Sequence, residues 1–226
     1  MPTVADSIIS FFLSVKEPYP LPSGVETMNP YVNQEVRDCI SVFYTRYYND
    51  TTARVGVFGI NPGRHGAGIT GISFTDPVSL AEECGIPNSL GTHRELSSIF
   101  IYDAIRAFGG LQAFTSSFYL SALSPLGFIK DGINYNFYDD KLFAKQMEEY
   151  MHGCMLRQLQ HPLRTDVAIC LGTGKLFAAF SALNKRHSYF GHIIPLEHPR
   201  YILQYKRKSV AAYLQKYVEV FSSCVF

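Results

Sequence analysis

Residues 55–60 read Val55-Gly56-Val57-Phe58-Gly59-Ile60, and residues 167–172 read Val167-Ala168-Ile169-Cys170-Leu171-Gly172. Both are nearly unbroken apolar runs of strand length, without the polar alternation of a strand that keeps one face wet. A strand has that composition when it is covered on both faces, as in a parallel sheet held between helices. Two more β-rich runs, 118–123 and 192–196, complete a set of four. Between them apolar residues recur at spacings of three and four over 34–48, 95–108, 139–160, 173–183 and 206–221, which predicts helices there. Strands separated by helices pair in parallel through right-handed crossovers. The expected fold is a three-layer α/β/α sandwich around a central four-stranded parallel sheet. One or two helices within residues 1–50 should pack on that core, with the Pro-rich stretch 17–30 as their connector.

The chain has 226 residues, 47% of them hydrophobic and 17% charged, enough apolar material for one domain over 1–226 and too much for a disordered chain. Five cysteines, at 39, 84, 154, 170 and 224, form no C-x-x-C pair, so they read as reduced thiols and not as a zinc or iron–sulfur framework. The N-terminal apolar stretch lacks Lys and Arg before it and is broken by Asp6, Ser7 and Ser10, a poor signal peptide. No run approaches the length of a membrane span, and the expectation is a cytoplasmic protein with no membrane partner. The net charge is only +1, but residues 184–216 carry Lys185, Arg186, Arg200, Lys206, Arg207, Lys208 and Lys216 against Glu197 alone. Such a stretch is either a phosphate-facing surface or a solvated helix face.

In open parallel sheets ligands bind at the carboxyl ends of the strands, so chemistry is sought just after each one. The first strand runs into Asn61-Pro62-Gly63, followed by Gly66, Gly68 and Gly71. Gly59 and Gly63 permit close approach to a ligand and Asn61 offers an amide, although Asn-Pro-Gly is equally ordinary turn chemistry. The second strand is followed by Ser124-Pro125-Leu126 and then Gly132-Ile133-Asn134. The third leads into Gly172-Thr173-Gly174-Lys175, where Ile169 and Leu176 occupy positions that a phosphate loop reserves for Gly and a hydroxyl, leaving a tight strand-to-helix turn. The fourth ends at His198-Pro199-Arg200-Tyr201. A histidine there either donates a proton or hydrogen bond to a ligand or is tied to a loop carbonyl. No Gly-x-Ser-x-Gly elbow and no zinc-type histidine spacing occurs, and the acidic pairs Glu82-Glu83, Asp139-Asp140 and Glu148-Glu149 fit solvated helix faces and helix starts.

Gly59 to Phe74, as Gly-x-Asn-Pro-Gly-x-x-Gly-x-x-x-Thr-Gly-x-x-Phe, resembles without a gap the first motif of the single-strand-selective monofunctional uracil-DNA glycosylases. His198-Pro199 resembles the start of that superfamily's second motif, and Ser124-Pro125-Leu126 with Gly132-Ile133-Asn134 resembles its intervening loop. The resemblance implies a monofunctional DNA repair glycosylase that flips and hydrolyses uracil, with xanthine and hypoxanthine as further candidates, and that needs no metal or cofactor. It implies that Asn61 positions the attacking water and that His198 stabilises the departing base. Phe74 would stack on the base, Asn134 (or Asn136) would read its amide edge, and the backbone at Ile60 and Gly63 would line the pocket. Pro62, Ser124, Pro199, Arg200, Tyr201, Lys206 and Arg207 are the implied DNA contacts, with DNA as partner and the protein a monomer.

The chain departs from the family in three places. Arg200-Tyr201 stand where the family continues into a Ser-Pro-Arg-Asn wedge, Arg64-His65 replace a Pro-Phe pair, and Asp76-Pro77 follow Phe74. These mark a divergent second subgroup, with Arg200 and Tyr201 as candidates for insertion into the vacated stack. A catalytically silent lesion binder and a small-molecule nucleosidase are the alternative readings.

Overall fold

The computed structural model describes residues 2–225. Along the chain it has α1 (Val4–Leu13), β1 (Val25–Met28), α2 (Gln34–Tyr47), β2 (Arg54–Gly59), α3 (Ala67–Thr70), α4 (Pro77–Glu82), α5 (Leu96–Phe108), α6 (Leu111–Ser117) and β3 (Phe118–Ala122). It continues with β4 (Gly127–Lys130), β5 (Ile133–Asn134), α7 (Lys141–Gln158), β6 (Leu163–Leu171), α8 (Lys175–His187), β7 (His192–Leu196), α9 (Pro199–Tyr205) and α10 (Val210–Cys224).

The four anticipated strands form one parallel sheet in the order β3-β2-β6-β7. All six residues of β2 are buried, which is why its sequence carries no alternation. The pleat divides its side chains between two apolar layers. Val55 and Val57 join Ile169, Leu171 and Leu196 in a core with α1, α2, α5 and α10. Phe58, Ala168 and Cys170 face the other way, into a core with Phe143, Met147, Met151 and Met155 of α7 and Phe180 of α8. This is the three-layer sandwich, and it brings the ends of β2, β3, β6 and β7 to one edge. The N-terminal helix begins with a capping box, Thr3 Oγ1 accepting from Asp6 N–H at 3.2 Å and Asp6 accepting from Thr3 N–H at 2.8 Å. All five cysteines are buried and free, and no helix among the described residues is long and apolar enough to cross a membrane.

Two expectations are corrected. Part of the 17–30 connector and of the 124–134 loop pairs into a second, antiparallel sheet, β1-β4-β5, with Glu26 opposite Ile129 and Ile129 opposite Asn134. These strands are too short to show a period, and they are held by burying Val25 and Phe128 against the α7 side of the core. The helix expected over 206–221 starts only at Val210, as α10, after a 3-10 turn at Arg207–Ser209, and a separate short helix, α9, precedes it over Pro199–Tyr205. Two of the seven basic residues of 184–216 are held in ion pairs. Lys185 and Arg186 lie in the last turn of α8, where Arg186 pairs with Glu148, while Lys216 pairs with Glu197 at 2.9 Å.

Candidate active site

Beyond β2 the chain makes a tight loop in which the Gly63 carbonyl accepts from Gly66 N–H at 3.2 Å and from Gly68 N–H at 2.9 Å. Asn61 stands at its start, with Nδ2 donating to the Pro62 carbonyl at 3.2 Å. Its Oδ1 is buried and has no hydrogen-bond partner in the protein. An orphaned buried acceptor carries a desolvation penalty of about 1–3 kcal/mol, so it marks a place where a ligand is meant to donate.

The second sheet is tied to this loop. Asn134, on β5, accepts from Arg64 N–H through Oδ1 at 3.1 Å, and the Arg64 guanidinium donates to the Gly132 carbonyl. The amide of Asn134 is therefore oriented with its NH2 group as the unengaged end. Asn136 lines the same cleft.

His198 follows β7 and caps α9. Its Nδ1 accepts from Arg200 N–H at 3.2 Å, which puts the ring proton of the neutral imidazole on Nε2. Burial, with the nearby Arg200 charge, pushes its pKa down to about 4, so at neutral pH the ring is an uncharged donor.

Phe74 has φ 55°, a left-handed conformation that is strained for an aromatic residue. The Thr70-Gly71 pair of the motif holds it there. Buried Thr70 Oγ1 donates to the Thr75 carbonyl at 2.6 Å and accepts from Ile72 N–H at 3.2 Å. The Phe74 ring centroid lies 6.2 Å from that of His198. A Cβ on Gly59 would come within 2.7 Å of Phe74 Cζ, so only glycine lets the ring lie across the end of β2. Gly59→Ala is expected to destabilise the fold by about 1–3 kcal/mol through overpacking and to lower turnover by shifting Phe74. Thermal melting beside an excision assay checks this; an unshifted Tm with full activity would refute it.

These residues surround a cleft of about 580 Å³, within the range of small-ligand sites. Ile60, Asn61, Pro62, Gly63, Phe74, Asn134, His198, Arg200 and Tyr201 all line it. Four expected contacts do not. Ser124 is fully buried and its hydroxyl donates to the Leu126 carbonyl at 2.6 Å, so it shapes a turn and cannot reach a strand of DNA. Pro199 is buried as the first residue of α9 and serves to place His198. Lys206 and Arg207 lie outside the cleft, Lys206 with Nζ 5.9 Å from the exposed Tyr201 ring and Arg207 donating to the Leu203 carbonyl at 2.9 Å. The cleft also includes residues the sequence did not single out, among them Glu95, Ser97 and Tyr138, and it is lined as well by the Gly172–Lys175 turn that follows the third strand of the sheet. Lys175 Nζ lies 5.1 Å from the Tyr138 ring centroid. No group of three or more His, Cys, Asp or Glu side chains among the described residues is arranged to hold a metal.

Residues 45–222 match the model of the uracil DNA glycosylase superfamily. A comparison with curated proteins finds no match. Among solved structures, the crystal structure of wild-type SMUG2 from Pedobacter heparinus superposes with a TM-score of 0.95 at 41% sequence identity, over 99% of this chain and 98% of that one. The chain thus belongs to the uracil DNA glycosylase superfamily, repair enzymes that hydrolyse N-glycosidic bonds in DNA.

Proposed function

We propose that this protein is a monofunctional glycosylase that releases uracil, and also xanthine and hypoxanthine, from DNA, acting as a monomer by base flipping. The observation that carries the reading is the state of His198, a neutral imidazole with its proton held on Nε2 at the wall of a base-sized cleft. A base inside a duplex is out of reach and must be extruded into a pocket that stacks on its face and bonds its edge. In the proposed complex Phe74 stacks on the base, and Asn61 Oδ1 accepts from the attacking water. The C1′–N bond breaks with its electron pair leaving on the base, the water oxygen bonds to C1′, and a water proton passes to solvent. His198 Nε2–H donates to the base oxygen on which the negative charge develops, and the base is reprotonated after release. Electrostatic stabilisation of this kind is the largest single contribution such a site offers.

Water is the nucleophile in this scheme, which makes the enzyme monofunctional. Lys175, the one lysine among the described residues lining the cleft, sits over the Tyr138 ring, an arrangement that supports a binding role. A volume of about 580 Å³ accommodates a purine as well as a pyrimidine. At the rim, exposed Tyr201 and Tyr205 with ring centroids 5.6 Å apart, and Lys206 beside them, supply flat faces and a cation for flanking bases and phosphates.

The test is an excision assay on single-stranded and duplex oligonucleotides carrying uracil, xanthine or hypoxanthine, with and without alkaline cleavage of the product. Strand breaks that appear only after alkali support a monofunctional enzyme. Asn61→Ala is expected to lower the rate about 10²-fold, the usual effect of losing the group that positions a reactant. Tight binding with no release of any base would instead identify a lesion binder.

A further inference from the structure

We propose that Glu95 is a base-contacting residue that selects uracil and hypoxanthine over cytosine and adenine, its carboxylate accepting a hydrogen bond from the lactam N–H that deamination of those two bases creates. The proposal rests on the glycosylase reading above and assigns a recognition group to the same cleft.

Glu95 is the residue that precedes α5, and its backbone N–H is fixed by Asp76 Oδ2 at 2.8 Å. Its side chain lines the cleft and lies directly over the β2 loop, so that a Cβ on Gly63 or on Gly66 would overlap its carboxylate oxygens. Two glycines of the first motif therefore make room for this one carboxylate. The carboxylate has no hydrogen-bond or ion-pair partner among the described residues. Asp76, the like-charged neighbour, is already engaged with Ser79 N–H and Glu95 N–H, and Arg200 is the opposing charge felt from the rim. Burial raises the pKa of Glu95 above the ordinary carboxylate value. A half-buried, unpaired carboxylate weakens the free fold at neutral pH, because the native state holds a proton over a pH range in which the unfolded chain has released it. Groups retained against stability in a cleft are expected to serve a ligand.

The other polar groups of the cleft define what that ligand must offer. His198 presents a donor on Nε2, and Asn134 has committed Oδ1 to Arg64 N–H and presents its NH2. Donors of this kind satisfy the carbonyl oxygens of a base. Uracil, xanthine and hypoxanthine also carry a ring N–H beside a carbonyl, which needs an acceptor. Cytosine and adenine present a lone pair at the same ring position, which a carboxylate repels. Glu95 thus favours uracil over cytosine and hypoxanthine over adenine, whereas xanthine shares its N1–H with guanine and is only tolerated by the same acceptor. A negative charge near a departing anion does not help the chemical step, so the contribution of Glu95 belongs to recognition, not to rate.

The experiment is a double-mutant cycle between the side chain and the base. Wild type, Glu95→Gln and Glu95→Ala are compared on oligonucleotides carrying uracil or 3-methyluracil, whose ring nitrogen has no hydrogen to give. Single-turnover rates and binding affinities by fluorescence anisotropy are both measured. The expected result is a loss of roughly tenfold to a hundredfold on uracil for Glu95→Ala, and a smaller one for Glu95→Gln, whose amide oxygen still accepts, carried by affinity and with little change on 3-methyluracil. Glu95→Gln should melt at or above the wild-type temperature at neutral pH, since it removes the half-buried charge. Equal losses on both bases, no loss on either, or a Tm well below wild type would overturn the proposal. Failure of the wild type to release any base would overturn the glycosylase reading instead, and the binding cycle would still judge Glu95.

Discussion

His198→Ala lowers kcat for uracil release by about 10²- to 10³-fold, the loss expected when one preorganised donor is taken from a developing anion. The effect should fall on kcat with little change in KM, because the interaction strengthens only as charge moves onto the base. The substitution also removes the side-chain cap of α9, since His198 Nδ1 is the acceptor for Arg200 N–H. Loss of a helix cap costs about 1 kcal/mol, so the protein stays folded with a slightly lower Tm. His198→Asn separates the two roles, because its amide can keep the cap while its shorter reach misplaces the donor. Recovery of Tm without recovery of kcat is the expected pattern. A His198→Ala enzyme that turns over at the wild-type rate would remove the histidine from the mechanism.

The same histidine sets a pH dependence. Its pKa is pushed down to about 4 from an ordinary 6.5, and buried His161 is pushed down to about 4 as well. Between these values the unfolded chain binds protons that the folded protein does not, so stability rises with pH across the window and is lost as pH falls from about 6.5 to 4. Protonation of His198 places a hydrogen on Nδ1 where Arg200 N–H already donates, so the cap breaks as the ring charges. Melting curves between pH 4 and 7 should show wild type losing stability on acidification, and His198→Ala losing less of it.

Much of this arrangement was legible in the sequence. The run from Val55 to Ile60 could only be a strand covered on both faces, and the glycines and Asn61 behind it were placed by the motif they form. The second sheet was harder, with strands of four residues at most, yet one local signal was present. Asp131 and Gly132 both have positive φ, at 51° and 72°, the conformation that favours Asp-Gly in two-residue hairpin turns. Read as a hairpin, that dipeptide would have put Asn134 on a strand beside Ile129 instead of in a loop. Ser124 matched a family position, but nothing in its neighbours tells whether a hydroxyl faces solvent or bonds the carbonyl of Leu126. Glu95 carries no local signal at all. Its position depends on glycines about thirty residues earlier, and only the folded chain brings them together.

Arg54→Ala is expected to lower stability by about 2–5 kcal/mol, the range for truncating a large buried side chain, and Tm by roughly 4–20 °C for a chain of this size. Arg54 opens β2 and is 1% exposed, among the largest fully buried side chains of the described residues. Its guanidinium pairs with Asp50, with one NH2–Oδ2 bond at 2.7 Å, donates to the carbonyls of Thr52 and Thr115, and lies 5.5 Å from the Tyr48 ring centroid. Truncation opens a cavity beneath Tyr48 and leaves the Thr115 carbonyl without its partner. Arg54→Met, which refills the volume, should recover part of the loss and so divide packing from charge. Asp50 gives the pH signature, since Arg54 holds its carboxyl down at about 2. That stabilisation is present above the ordinary carboxylate pKa and is lost as pH falls through about 2, so the Tm gap between wild type and Arg54→Met should narrow in acid. Arg54 sits at the opposite end of β2 from Asn61, and turnover measured well below the melting temperature should be unchanged. A fold-anchoring residue and a reacting one are thus distinguished by opposite readouts within one sheet: Arg54→Ala loses Tm and keeps kcat, His198→Ala loses kcat and keeps most of its Tm.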